Sequence, residues 1–235
     1  MQEIKGIHHI SAMVGDLDNA LRFYREILQL RLVKQIGNFD DKTGYHLYFA
    51  SQLAPLGPLL TFFPQQPNGG TKGSGQVGKI AFRIPTNRLD YWKDRLELFD
   101  VKYKEVIWSQ FKAFSTYDDD QLAIVLVASA ESSSSPDIQA FHELSIYSSY
   151  PPASKAFLEE YMGFRALKED ENYHYLAISG GKQEELLIEK EMRGSGTWGS
   201  GTVHHVAWSL ADEENEKDWR RYLLENGRDV MVIRD

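Results

Sequence analysis

The feature that most constrains this chain is that it repeats itself. A strand, a helix and then several short strands recur along it, and residues recur with the pattern. Ile7-His8-His9-Ile10 matches Val203-His204-His205-Val206, and Tyr45-His46-Leu47-Tyr48 pairs with Tyr173-His174-Tyr175-Leu176. Such self-similarity has to be read before any fold is assigned, because each repeat is one supersecondary unit that buries its apolar face only against another.

Unit one opens on a strand over residues 7–14, is capped around Asp16-Leu17-Asp18-Asn19, and continues as a helix carrying Leu21, Tyr24, Ile27 and Leu28 at helical spacing. Short aromatic and aliphatic strands at 45–50 and 59–63 follow. Unit two has a strand at 77–84, a helix marked by Leu89, Trp92, Leu96 and Phe99, and strands at 102–107, 112–117 and 122–127. Unit three has a strand at 141–147, a helix at 153–161 stopped by Gly163, and strands near 173–178 and 185–189. Unit four has a strand at 203–210, a helix at 214–225 closed by Asn226-Gly227, and a strand-like stretch at 229–233. The expected fold is α+β: tandem βαβββ modules forming curved sheets or open barrels, three complete and a fourth truncated. The small, polar, proline-containing run from Ser129 to Asp137 reads as an exposed linker. It divides the chain into an N-terminal domain (1–130), a linker (131–138) and a C-terminal domain (139–235).

Composition narrows the chemistry. Of the 235 residues, 42% are hydrophobic and 26% charged, which is globular. No run approaches the roughly 18 apolar residues of a membrane span. The start, Met1-Gln2-Glu3-Ile4-Lys5, lacks the pattern of a secretion signal, so a cytoplasmic protein is expected. A net charge of −8 argues against nucleic acid and anionic membranes as partners. With no cysteine, any metal must sit among histidine, carboxylate and water, a set that suits ferrous iron, manganese or zinc.

Four of the seven histidines form two His-His pairs, each in the first strand of a unit. Strand side chains alternate, so each pair is expected to send one imidazole into the cavity and one away. If units one and four pair about a pseudo-twofold axis, the inward histidines meet. One strand histidine is usually packing; two pairs at matching repeat positions point to a metal site. Gly6-Ile7-His8-His9-Ile10-Ser11, Tyr45-His46-Leu47-Tyr48-Phe49-Ala50, Leu59-Leu60-Thr61-Phe62-Phe63-Pro64 and Gly201-Thr202-Val203-His204-His205-Val206-Ala207 are together similar to hydroquinone-type ring-cleaving dioxygenases. These belong to the vicinal-oxygen-chelate superfamily, with glyoxalase I and the bleomycin- and fosfomycin-resistance proteins.

The resemblance implies a non-haem Fe(II)-dependent extradiol-type dioxygenase, with Mn(II) as second choice, acting on a hydroquinone- or catechol-like aromatic and dioxygen. It implies His9 and His205 as metal ligands, His8 and His204 as groups that orient substrate or relay protons, and Ser11 as a hydroxyl near substrate. His46 and His174, in matching strands, read as structural, and His142-Glu143 as a metal-free remnant of the repeat, facing Lys79 in unit two. Phe62, Tyr48 and Trp208 are candidate cavity aromatics. The family's third ligand is a glutamate on the last strand of unit four. Leu59 opens the equivalent strand fifty positions after His9, and the same offset from His205 runs past Asp235. Arg234 and Asp235 are not identified as substitutes, and Glu213, Glu214 and Glu216 are acids at a helix start. A fragment of a longer enzyme, a shortened inactive protein, and a homodimer that supplies the missing wall all stay open. Two rival functions also stand. One is a glyoxalase-like lyase or isomerase, disfavoured because Phe62 stands about where a unit-one carboxylate belongs. The other is a metal-free binding protein.

Overall fold

The computed structural model describes residues 3–37, 45–52, 59–64, 69–178 and 184–231. Unit one runs β1 (Gly6–Val14), α1 (Leu17–Ala20), β2 (Arg31–Gly37), β3 (Tyr45–Ala50) and β4 (Leu59–Pro64). The Asp16 carboxylate starts α1 by accepting the Asp18 and Asn19 N–H groups at 2.8 and 3.0 Å. The helix then widens into a π-helical stretch, Leu21–Ile27, which ends with the Leu28 N–H donating to the Phe23 carbonyl. That register turns Phe23, Tyr24 and Ile27 onto the sheet.

Unit two is β5 (Val77–Pro85), α2 (Leu89–Leu98), β6 (Tyr103–Trp108), β7 (Phe111–Tyr117) and β8 (Ala123–Ala130). Unit three is β9 (Ala140–Ser148), α3 (Pro151–Tyr161), β10 (Arg165–Glu169), β11 (Tyr173–Ala177) and β12 (Glu185–Met192). Unit four contributes β13 (Val203–Ser209) and α4 (Glu213–Glu225). The fold is α+β, with three βαβββ units and the strand and helix of a fourth. Two of these strands, β2 and β10, were not expected from the sequence. Residues 229–231, read there as strand-like, carry no strand, and 232–235 lie outside the described residues.

The units pair outside-in. A five-stranded sheet has the order β13-β1-β4-β3-β2, and an eight-stranded sheet the order β10-β11-β12-β9-β5-β8-β7-β6. Units one and four thus share one sheet and units two and three the other, so both sheets draw strands from each side of 131–138. The sheets are curved and open, as the sequence leads one to expect; among the described residues the strand order leaves both ends of each sheet unpaired.

The registers expose the internal symmetry. His9 faces Ala207, Ile10 faces Val206 and Ser11 faces His205 across the antiparallel β1–β13 ladder. Exchanging equivalent residues of units one and four maps this ladder onto itself, with Ile10 and Val206 on the axis. The β5–β9 ladder repeats it: Lys79 faces Ser145, Ile80 faces Leu144 and Ala81 faces Glu143.

The sheets bury one face against the helices. Ile10, Ala12, Leu47, Phe49, Leu60 and Phe62 pack on Phe23, Tyr24 and Ile27, while Phe82, Phe141 and Trp92 fill the equivalent space in the larger sheet. Phe62 lies 4.3 Å centroid to centroid from Tyr24 and is fully buried, so it belongs to this core and not to a cavity wall. A turn from unit two locks the arrangement. Asp118 accepts the Tyr24 hydroxyl at 2.7 Å and the Leu122 N–H at 2.8 Å, and Asp120 accepts the Gly15 N–H at 2.9 Å. Burial raises the Asp118 carboxyl to about 6.

Candidate metal centre

The face of the five-stranded sheet opposite the core carries the site. Tyr48 lies beside Thr61, Thr61 beside Ser11, and Ser11 beside His205 in the three ladders, so these four side chains form one transverse row. His46 and His9 lie two residues from Tyr48 and Ser11 and share their face.

His9 and His205 converge as the pseudo-symmetry requires. Their Nε2 atoms are 2.9 Å apart and their rings meet edge to face. The other nitrogens are engaged as well: His8 Nδ1 lies 2.8 Å from His9 Nδ1, and His204 Nδ1 lies 2.9 Å from His205 Nδ1. Four imidazoles therefore form a continuous chain. Neighbours on a flat strand cannot touch in this way, because their side chains leave opposite faces. The expectation of one imidazole in and one out is corrected by the ladder itself. Register shifts fall between Ile7 and His9, and between Ser11 and Ala12 opposite Val203–His205, so His8 and His204 are the extra residues of two β-bulges. A bulge sets two residues against one and re-aims the side chain. The His204 ring lies 5.3 Å from both Phe63 and Trp198.

The electrostatics favour neutral rings. His9 is lowered to about 4, first by burial and then by the fields of His205, His8 and His46. His205 is lowered for the same reasons, with His204 and His46 as neighbours. Neutral imidazoles present lone pairs. Two nitrogens bound to one metal at about 2.1 Å and at right angles stand about 3 Å apart, which the observed separation matches. With Nδ1–H donated to His8 and His204, both Nε2 lone pairs would point at the shared space, the orientation that outer imidazoles usually enforce on ligating histidine. The donor set fits a divalent transition metal. Among the described residues no third His, Asp or Glu completes a metal-sized group. Glu213, Glu214 and Glu216 sit in the first turn of α4 behind the Asp212 cap, and Arg234 and Asp235 fall outside the described residues.

The other expected residues divide. Ser11 is buried in the row, its Oγ 2.6 Å from Thr61 Oγ1. Tyr48 is on the site face, where its ring lies 4.6 Å from that of His46. Trp208 turns toward Phe164 and a groove beside α4 that His8 also borders. Phe63, not Phe62, is the aromatic residue of β4 at the site, against His46 and His204. The pairing of His46 with His174 is one residue out. Tyr48 and Tyr175 oppose Thr61 and Leu187, which makes Tyr173 the counterpart of His46. His174 falls on the opposite face and approaches Glu169. His46, read as structural from the sequence, thus sits beside the imidazole cluster. The one available signal was the Tyr-Phe-Ala and Tyr-Leu-Ala endings of the two strands.

In the second sheet the same positions hold Lys79 and Glu143 in place of His9 and His205. Lys79 pairs with Glu189 at 3.2 Å and with the Tyr173 hydroxyl at 3.0 Å. Glu143 is fully buried with neither oxygen hydrogen-bonded, and burial raises it to about 8.

The fold agrees with what similar sequences and structures indicate. A sequence model of the Glyoxalase/Bleomycin resistance protein/Dioxygenase superfamily matches residues 6–126, and the chain belongs to that superfamily. MhqO of Bacillus subtilis (strain 168), named as a ring-cleaving dioxygenase, is 34% identical over 241 residues, covering 98% of this chain and 77% of MhqO. The chlorohydroquinone/hydroquinone 1,2-dioxygenase of Sphingobium indicum is 25% identical, over 90% of this chain and 72% of its own length. A solved structure of a Bacillus subtilis protein named as a dioxygenase superposes with a TM-score of 0.90 at 32% identity, covering 100% of this chain and 79% of the other. Within the superfamily the chain falls with the ring-cleaving dioxygenases.

Proposed function

We propose that this protein is an Fe(II)-dependent, extradiol-type ring-cleaving dioxygenase acting on a hydroquinone- or catechol-like aromatic, with Mn(II) as the alternative metal. The observation that carries the reading is the meeting of His9 and His205 Nε2 at 2.9 Å across the pseudo-twofold ladder. The Sphingobium relative's named substrate class supports the choice of ring.

His9 and His205 would hold the metal, and His8 and His204 would fix their tautomers. When bound, the metal supplies open positions for the substrate oxygens and for dioxygen. The chain's own part is to hold the aromatic against the row of Ser11, Thr61 and Tyr48, with Phe63 as an apolar wall, so that the reacting groups meet in one orientation. The ring nitrogens of His8 and His204 that do not face His9 and His205 would supply acid–base help. The glyoxalase-like alternative needs a metal-binding carboxylate on the site face of β4, but Leu59, Thr61 and Phe63 stand there. The reading includes a cytoplasmic location and assembly as a homodimer. No helix among the described residues is long and apolar enough to cross a membrane.

Anaerobic ferrous-iron titration of this chain and of His9→Ala/His205→Ala tests it. Saturable one-to-one binding, lost in the double variant, is expected, followed by oxygen uptake with substituted hydroquinones. Iron binding indifferent to both substitutions would sink the site, and bound iron with no oxygen consumption on any dihydroxybenzene would sink the reaction.

A further inference from the structure

One large aromatic side chain beside the histidine cluster stands outside the core. Trp198 is 57% exposed, yet its ring lies 5.3 Å from that of His204, and Phe63 lies 5.3 Å from the same imidazole. Indole and phenyl thus flank one ring, which in turn stands against His205. An exposed indole is normally free to turn, but this one is mounted on a braced loop. The segments leading into β5 and β13 run against each other. Thr71 and Thr197 exchange N–H to carbonyl bonds at 3.1 and 2.9 Å, and their hydroxyls are 2.9 Å apart. The Gly70 N–H donates to the Ser200 carbonyl at 3.0 Å, and the Ser74 N–H to the Gly194 carbonyl at 2.8 Å. The approach is so close that it requires glycine: a Cβ on Gly196 would collide with the Thr71 carbonyl oxygen, and one on Gly73 with the Gly196 nitrogen. On the other side of Trp198, the Thr202 hydroxyl donates to the Gly199 carbonyl at 2.7 Å. Both chain neighbours of Trp198 are therefore fixed, which lowers the ordering cost of any contact the indole makes.

The internal repeat shows what the indole accompanies. Thr71 and Thr197 each lie six residues before their strand, so Lys72 is the counterpart of Trp198 and Gly78 that of His204. Lys72 turns its ammonium to the Gln121 carbonyl at 2.6 Å. The copy of the ladder that keeps the histidines keeps the indole beside them, and the other copy has exchanged both. Trp198 is also not the centre of a protein-docking patch. Its loop neighbours are Ser195, Gly196, Thr197, Gly199 and Ser200, whereas docking patches are contiguous apolar areas on the order of hundreds of Å².

We propose that Trp198 and Phe63 form an aromatic slot beside the site that selects dihydroxybenzenes carrying a bulky apolar ring substituent, with Trp198 as the specificity-determining residue. The inference deepens the dioxygenase reading and rests on it. With the ring oxygens held at His9 and His205, a substituent directed across His204 meets the indole and the phenyl, and all three surfaces leave water on contact. Recognition is by apolar area and shape, so an alkyl group or a halogen qualifies and a charged group does not. An unsubstituted ring gains little from the slot.

Anaerobic calorimetric titration of the iron-loaded chain with hydroquinone and with tert-butylhydroquinone tests the slot. Wild type should bind the tert-butyl compound about 10-fold more tightly, the scale of a buried alkyl group resting on an aromatic face. Trp198→Ala should lose that preference with its affinity for hydroquinone little changed, and Trp198→Phe should keep most of it. In turnover, Trp198→Ala should raise KM for the substituted ring by about the same 10-fold and leave kcat near the wild-type value, because the lost contact is made equally before and during the reaction. A merely structural role would weaken both ligands alike. That outcome, a preference that survives Trp198→Ala, a loss as complete in Trp198→Phe, or a wild type indifferent to the substituent overturns the slot and leaves the dioxygenase reading standing. A wild type that binds neither ring overturns both.

Discussion

Glu143 shows how burial decides chemistry at a single position. It occupies the place that His205 holds in the other sheet, yet its oxygens have no hydrogen-bond partner and burial pushes it to about 8. A folded-state value above the unfolded one means the protonated carboxyl belongs to the folded state. Its contribution to stability is complete below about pH 4.5 and is lost as pH rises through about 8. His142 next to it behaves oppositely: lowered to about 4 by burial and by Arg83, it supports the fold above pH 6.5 and ceases to as pH falls through about 4. The expected outcome is that Glu143→Gln flattens the fall in thermal midpoint between pH 5 and pH 9 that the wild type shows. A wild-type slope retained in the variant would mean that Glu143 is hydrated and ordinary.

The turn between β7 and β8 works at the scale of elements. It reaches from unit two to hold Gly15 at the end of β1, and it presses on Gly201 just before β13. A Cβ on Gly201 would stand 1.9 Å from the Asp120 carbonyl oxygen, at a φ of +79° that side chains rarely adopt. Gly201→Ala should therefore cost about 2–4 kcal/mol, combining backbone strain with a contact that cannot be relieved by a rotamer change. Chemical denaturation measures it, and a loss under about 0.5 kcal/mol, the range of an ordinary surface change, would show the turn to be free to move. The same scale explains the two strands that the sequence hid. β2 and β10 are edge strands, and every residue of β10 is exposed. Edge strands carry charge and lack a buried face, so Arg165-Ala166-Leu167-Lys168-Glu169 shows neither alternation nor a β-rich composition.

At the scale of the whole molecule, the protein is one ladder made twice. One copy keeps two histidines at the crossing, and the other has exchanged them for Lys79 and Glu143. The second copy also has a carboxylate, Glu189 on the last strand of unit three, where Phe63 stands in the first. If the repeat still carries the geometry, Lys79→His combined with Glu143→His should create a second metal site with Glu189 beside it. Cobalt(II) titration should then rise from one to two ions per chain; an unchanged stoichiometry would show that the second crossing has drifted from the first.

The repeat, the α+β class, the His-His strands and the core positions were legible in the sequence, because hydrophobic period and residue identity are local properties. So was the prediction that His9 and His205 meet, since equivalent residues near a pseudo-twofold axis have little freedom to do otherwise. The place of His46 was not legible. Tyr45-His46 matches Tyr173-His174 by eye, but the strand ladders slide the match by one residue, and one residue on a strand is the whole difference between two faces. Nor could the sequence show that His8 and His204 bulge, or that Phe62 faces Tyr24 while Thr61 faces the site. Register and bulge depend on which strand lies next to which, and that is settled by the total burial of all the units together, not by any segment alone.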